Sequence, residues 1–114
     1  MPSVLIVDDD AGIRQLLRLL FELNGFHVVA EACNGAEAMP LALRHNPDFV
    51  VLDYWMPGGT GDRAAAALRW LLPEVHIIAF SAVLQEKPAW ADAYLNKDRI
   101  CEIAPFLTGL LVRS

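Results

Sequence analysis

The chain has 114 residues, of which 55% are hydrophobic and 20% charged, with a mean hydropathy of +0.36. That length fits one domain, and so apolar a composition excludes disorder. A formal net charge of −5 without a basic stripe argues against a nucleic-acid partner held through its phosphates.

The chain begins Met1-Pro2-Ser3 and enters a strand-like run without a basic n-region, so no signal peptide is expected and the cytoplasm is the default compartment. Val4-Leu5-Ile6-Val7 is apolar and stops at Asp8-Asp9-Asp10. Ile13, Leu16, Leu17, Leu20 and Leu23 then fall on one helical face, with Arg14, Arg18 and Glu22 away from it, and Asn24-Gly25 supplies a stop. Phe26 to Ala32 is less apolar and reads as an edge strand. Asn34 can cap a second helix, with Glu37 as its capping-box partner. Pro40 inside that helix removes one backbone bond and should kink it.

Phe49-Val50-Val51-Leu52 stops at Asp53, and Ile77-Ile78-Ala79-Phe80 stops at Ser81. Continuous apolar runs of this kind are strands buried on both faces, as in a parallel sheet covered by helices. Between them Thr60 or Gly61 opens a helix over Asp62 to Leu72, closed by Pro73. Ala93-Tyr94-Leu95-Asn96 is a short fifth strand. Asp98 can cap a last helix from Arg99, bent or interrupted at Pro105. The alternation with right-handed crossovers predicts an open, doubly wound α/β fold. A membrane span is not expected, since it needs about 20 consecutive apolar residues. The longest candidate, 64–80, is broken by Arg69, Pro73 and Glu74.

One connection is short. Only eleven residues, Ala82 to Asp92, link the last two strands, whereas a parallel crossover needs about a dozen or more. Pro88 also disfavours helix at Lys87. A single turn or an irregular strap should therefore replace the fourth helix. A reduced helix should uncover an apolar patch near Trp90, Tyr94 and the last helix, Ile100 to Val112, to be covered by a partner or a second copy. Cys33 and Cys101 read as reduced, buried thiols. His27, His45 and His76 form no cluster, and Trp70 and Trp90 read as packing residues.

Asp8, Asp9, Asp53 and Ser81 follow the ends of central strands, and Lys97 follows the fifth. Doubly wound sheets bind ligands at that mouth. Three carboxylates gathered there repel unless a cation sits among them, and hard oxygen donors favour Mg²⁺ or Mn²⁺ over zinc. A carboxylate beside such a cation can take a phosphoryl group as an aspartyl phosphate. Lysine and a serine hydroxyl would hold the phosphoryl oxygens. Asp10 reads as a helix cap.

Val4-Leu5-Ile6-Val7-Asp8-Asp9-Asp10, Val51-Leu52-Asp53-Tyr54-Trp55-Met56-Pro57-Gly58, Ala79-Phe80-Ser81-Ala82 and Tyr94-Leu95-Asn96-Lys97-Asp98 together resemble the receiver domain of bacterial two-component response regulators. The resemblance covers essentially the whole chain, read as a single receiver domain over 1–114. It implies a five-stranded parallel sheet in the flavodoxin-like order 2-1-3-4-5. It implies that Asp53 is the phosphoacceptor, and that Asp9 and Asp53 bind Mg²⁺ directly with the backbone carbonyl of Trp55, Asp8 acting through water. Ser81 would be the switch hydroxyl, Lys97 the phosphate-binding lysine and Tyr94 the switch aromatic. Trp55 and Val83 would flank the path of the attacking water and slow self-dephosphorylation.

The implied partners are a sensor histidine kinase or phosphotransfer protein, and a downstream protein target or a second copy bound through the region of Trp90, Tyr94 and Ile100 to Val112. Neither nucleic acid nor membrane insertion is expected, and no enzyme activity beyond self-phosphorylation and self-dephosphorylation.

Three features depart from the family pattern: Asp98 follows Lys97 where proline is frequent, Thr60 stands where an acid is common, and the Ser81 to Lys97 segment is short. The last leaves open a binding module whose output ignores phosphate. A Mg²⁺-dependent phosphatase would need a second aspartate where Trp55 stands. A flavin site would need a hydroxyl- and glycine-rich loop where the three aspartates stand.

Overall fold

The computed structural model describes residues 1–56 and 58–113, with Arg113 in backbone only. In chain order the strands are β1 (Ser3–Val7), β2 (His27–Ala32), β3 (Phe49–Leu52), β4 (Trp55–Met56), β5 (Gly59–Thr60), β6 (His76–Ser81) and β7 (Ala93–Asn96). The helices are α1 (Ala11–Leu23), α2 (Gly35–His45), α3 (Gly61–Leu71) and α4 (Ile103–Arg113). Five parallel strands form one sheet in the order β2-β1-β3-β6-β7. Counting only those five, this is the expected order 2-1-3-4-5. The β4–β5 hairpin is a separate antiparallel pair; two residues a side leave too little alternation for a sequence to announce it.

The sheet divides the core. Val4, Ile6, Phe49, Val51, Ile78 and Phe80 face the layer of α1 and α4. Leu5, Val7, Val50, Leu52, Ile77 and Ala79 face the other layer, where Ala38 and Ala42 of α2 and Ala64, Ala65 and Leu68 of α3 meet them. Successive strand side chains point to opposite faces, so doubly covered strands must be apolar throughout. Each large side chain buried this way contributes about 1.5–3 kcal/mol.

The helix termini follow local chemistry. Asp10 caps α1, accepting from the amides of Gly12 and Ile13 at 2.8 and 3.2 Å. Asn34 caps α2 through the Glu37 amide, and Glu37 reaches back to the amide of Cys33 rather than to that of Asn34. Helix α2 is continuous through Pro40. The last helix corrects the sequence reading. A 3₁₀ segment, Lys97–Glu102, comes first and is capped by Asn96, which accepts from the Asp98 amide, so Asp98 is not the cap. Pro105 then lies in the first turn of α4. There its missing N–H has no intrahelical acceptor to lose, so it does not interrupt the helix.

Residues 82–92 contain no helix and form the irregular strap. Of the expected bare patch, the part beneath the strap is covered by the strap itself, while Leu111 and Val112 at the end of α4 are exposed. Leu84, Trp90, Ala91 and Tyr94 pack on the β1–β3–β6 face, and Ile103, Ala104 and Leu107 of α4 are buried against the other layer. Other readings also need correction. On α1 the buried centre is Leu17 and Phe21, while Leu16 and Leu23 are exposed. A stripe centred on an i, i+4 pair leaves residues at its margins in solvent. Trp70 is 84% exposed on the outer side of α3. Both cysteines are free, but Cys33 is half-buried and Cys101 exposed, the latter because the 3₁₀ segment has no buried residues. No helix among the described residues is long and apolar enough to cross a membrane.

Candidate functional site

The parallel register brings the strand ends to one mouth. Val7 pairs with Leu52, Leu52 with Ala79, and Ser81 with Asn96. The next residues after β1, β3 and β7 are Asp8, Asp53 and Lys97, and Ser81 closes β6. Backbone bonds carry the sheet one step past its ends: the Asp8 amide donates to Ala32 O at 3.0 Å and the Asp53 amide to Val7 O at 3.1 Å. Asp8, Asp53 and Ser81 are buried.

Asp8, Asp9 and Asp53 each offer a carboxylate oxygen within 4.8 Å of the others. Lys97 Nζ stands 2.8 Å from Asp8 Oδ2 and 3.1 Å from Asp53 Oδ2. It donates a hydrogen bond to Asp53. Its approach to Asp8 is close but not aligned as one, so Asp8 Oδ2 is buried with no hydrogen-bond donor. Asp8 Oδ1 accepts from the Asp10 amide at 2.9 Å, and Asp53 Oδ1 from the Tyr54 amide at 2.8 Å. One ammonium therefore pairs with two of the three carboxylates, Asp8 and Asp53.

The electrostatics follow from that shortage. Burial pushes the Asp53 carboxyl above the ordinary aspartate range; Lys97 opposes the shift and Asp8 adds to it. Burial works against the Lys97 charge, but Asp8 and Asp53 outweigh it and raise the ammonium above its usual value. Three hard-oxygen carboxylates, one with a buried oxygen that has only the Lys97 ammonium beside it, fit a small divalent cation such as Mg²⁺. Asp8, Asp9 and Asp53 are the residues that could hold it.

Ser81 Oγ accepts from the Val83 amide at 3.1 Å, tying the start of the strap to the mouth. Tyr94 is half-buried beside it. Its hydroxyl donates to Leu84 O and accepts from Asn96 Nδ2 at 3.1 Å. Trp55 opens β4, two residues past Asp53; its ring is 59% exposed and meets Tyr54 edge-on. Val83 is also exposed. Thus Asp8, Asp9, Asp53 and Lys97 converge directly, with Ser81 at the end of the neighbouring strand. Tyr94 is turned to the strap.

Sequence reasoning missed two supports. Gly61 donates its amide to Tyr54 O at 2.8 Å, and a Cβ there would lie 2.6 Å from Asp53 O. Arg14, read as a solvent-facing residue, donates to Asp8 O at 2.6 Å. Its placement six residues after Asp8 at the opening of a helix was the available signal.

Residues 4–98 match the sequence model of the response regulator receiver domain. The chain is 40% identical over 83 residues to the chemotaxis protein CheY of Bacillus subtilis, covering 73% of this chain and 69% of that one. It is 40% identical over 99 residues to the transcriptional regulatory protein PdtaR of Mycobacterium tuberculosis, covering 82% of this chain and 48% of that one. A Pseudomonas aeruginosa regulator, 42% identical over 81 residues, is matched over 71% of this chain and 39% of its own length. The match thus spans less than half of the last two. Among solved structures, response regulator TrrA of Thermotoga maritima, in complex with Mg²⁺ and BeF, aligns with a TM-score of 0.85 at 30% identity, over 96% of this chain and 99% of that one.

Proposed function

The chain belongs to the response regulator receiver domain family, and from that premise we propose that its 114 residues are a single phosphoacceptor domain charged on Asp53. The donor is a sensor histidine kinase or a phosphotransfer protein, and Mg²⁺ is the required cation, with Mn²⁺ able to replace it. The observation that carries this reading is Lys97 Nζ set between Asp53 and Asp8 at 3.1 and 2.8 Å, with the Asp9 carboxylate alongside.

In the transfer, an Asp53 carboxylate oxygen forms a bond to phosphorus as the P–N bond to the donor imidazole breaks. The bond's electron pair stays on the imidazole nitrogen. Lys97 already contacts both buried carboxylates and would pair with a phosphoryl oxygen as a point charge. Ser81 Oγ accepts from Val83 and keeps its own proton for another oxygen. Tyr94, through Leu84 O, would carry movement of Ser81 into the strap. Asp9 and Asp53, with the Trp55 carbonyl, would hold the cation directly, and Asp8 would act through water. When bound, Mg²⁺ supplies charge neutralisation for the incoming phosphoryl group. TrrA was solved with Mg²⁺ and BeF, which supports a cation-dependent site here.

The output is a change in the population of two conformers that alters binding to a downstream protein or a second copy. Cytoplasm is the compartment such an exchange calls for. Acetyl phosphate with Mg²⁺ should add one phosphoryl mass to the protein and none to Asp53→Asn. Beryllofluoride should shift amide resonances around Ser81 and the strap. A protein that took up neither would overturn the reading.

A further inference from the structure

Arg14 and Arg18 lie one turn apart on α1 and share one carboxylate. Arg14 Nε donates to Glu31 Oε1 at 3.2 Å, and Arg18 Nε donates to Glu31 Oε2 at 2.7 Å. Glu31 stands on the edge strand β2, level with Ile6 near the end of β1. Both pairs tie the helix to the edge of the sheet. Their second contacts differ: Arg18 Nη1 reaches Glu22 Oε2 and Val28 O, both at 3.5 Å, whereas Arg14 Nη1 donates to the Asp8 carbonyl at 2.6 Å.

That carbonyl belongs to the peptide plane joining Asp8 to Asp9. The plane is rigid, so fixing its oxygen fixes the amide and Cα of Asp9. The Asp9 side chain is exposed and its carboxylate accepts no hydrogen bond among the described residues. Asp8, by contrast, is buried and held by the Asp10 amide and Lys97. The direction of the Asp9 carboxylate therefore depends on its backbone, and Arg14 is the side chain that clamps it.

We propose that Arg14 is a positioning residue for the cation site, aiming Asp9 at the ion that it would hold together with Asp53. This rests on the receiver reading above. Charge alone makes the opposite forecast. Deleting a cation near three carboxylates leaves the site more negative and should tighten Mg²⁺ binding. Loss of a residue that orients a ligand typically weakens metal affinity about 10–100-fold. Arg18 supplies the baseline, being the same charge on the same helix and the same glutamate, without the contact to Asp8.

The experiment is a Mg²⁺ titration of the whole chain by tryptophan fluorescence, with urea midpoints in EDTA as a measure of general loosening. Arg14→Met should weaken Mg²⁺ binding about tenfold or more. Arg18→Met should leave binding unchanged or slightly tighter, although each variant removes one of the two arginine contacts to Glu31 and leaves the other in place. Arg14→Lys, whose ammonium can still reach the carbonyl, should recover most of the affinity. In the metal-free protein, the Asp9 amide should shift in Arg14→Met and not in Arg18→Met. Arg14→Gln replaces the methionine variant if that variant fails to fold. Equal affinities for the Arg14 and Arg18 variants would overturn the positioning role. A wild-type protein that bound no Mg²⁺ would instead overturn the receiver reading beneath it.

Discussion

Trp90 lies against Tyr54 with ring planes 14° apart and centroids 6.3 Å apart. The strap that stands in place of a helix is thus stacked on the residue following Asp53. Trp55 meets the same Tyr54 ring edge-on, with centroids 5.4 Å apart. Trp90→Ala should cost roughly 1–2 kcal/mol in urea unfolding, the aromatic pair and its buried area together. It should also speed amide exchange along residues 82–92 more than elsewhere. Uniform exchange across the sheet would show that the strap is not a separable unit.

Asp92 fastens the other end of that strap. Its Oδ2 accepts from the Ile77 amide at 2.7 Å and pairs with Arg69 at 2.9 Å, while Arg69 also donates to Trp90 O at 3.2 Å. Ile77 is fully buried, so Asp92→Ala leaves its amide without that acceptor. The expected loss is about 1–3 kcal/mol. Asp92→Asn keeps an amide oxygen for Ile77 and should lose less, since the ion pair is about a third exposed and exposed pairs contribute about 1 kcal/mol or less. Equal losses for the two variants would assign the effect to the ion pair.

These clasps mark the limit of what the sequence discloses. The three doubly buried strands are legible as continuous apolar runs, and the convergence of Asp8, Asp53, Ser81 and Lys97 because each stands at or just past the end of a strand-like run; the sheet order came with the resemblance to receiver domains, not from any local pattern. The strap's existence was legible too, from chain length and Pro88. What covers the sheet beneath it was not. Trp90 meeting Tyr54 joins residues far apart in the chain, and nothing in either segment's periodicity encodes the contact. Arg14 was missed for a related reason. A helical wheel assigns it a side but not the neighbouring carbonyl it reaches. Asn96, not Asp98, caps the 3₁₀ segment because two good capping residues stand close together and only the backbone turn selects between them.

Gly61 sits where the backbone of Asp53 leaves no room. A Cβ there would stand 2.6 Å from Asp53 O and 3.1 Å from Tyr54 Cα. Both obstacles are main chain, so Gly61→Ala must displace the loop that carries Asp53. Stability should fall by roughly 1–3 kcal/mol, and phosphorylation by acetyl phosphate should slow severalfold. A variant phosphorylated at the wild-type rate would show that the loop shifts away from Asp53 rather than with it.

The metal-free site should cost stability as pH rises. Burial is the main reason that Asp53 titrates above its unfolded range, and Asp8 reinforces it. Between the unfolded and folded values the native state holds more protons, so unfolding free energy falls as pH increases through that window. Below it Asp53 is neutral in both states, and above it the cost is complete. Asp53→Asn removes that cost. Urea midpoints in EDTA should therefore show the variant gaining on the wild type as pH rises through the window, then holding a constant advantage. Mg²⁺ should shrink the advantage, because it binds the folded wild type more tightly.

Trp55 and Val83 follow Asp53 and Ser81 by two residues, where the resemblance to receiver domains would make them the two lips of the mouth, and both residues are more than half exposed. The Trp55 ring is braced by Tyr54 rather than free, so it can cover the site without being buried in it. An apolar rim of this kind should exclude an attacking water from the acyl phosphate. The phosphorylated protein should therefore hydrolyse slowly. Trp55→Asn offers a polar side chain that can hold a water in line, and should shorten the lifetime severalfold. Trp55→Phe keeps an apolar ring and should stay near wild type. The decay of phosphoprotein after removal of acetyl phosphate measures both. Equal lifetimes for Asn, Phe and wild type would place the barrier to water elsewhere, with Val83→Asn as the next variant to separate the two lips.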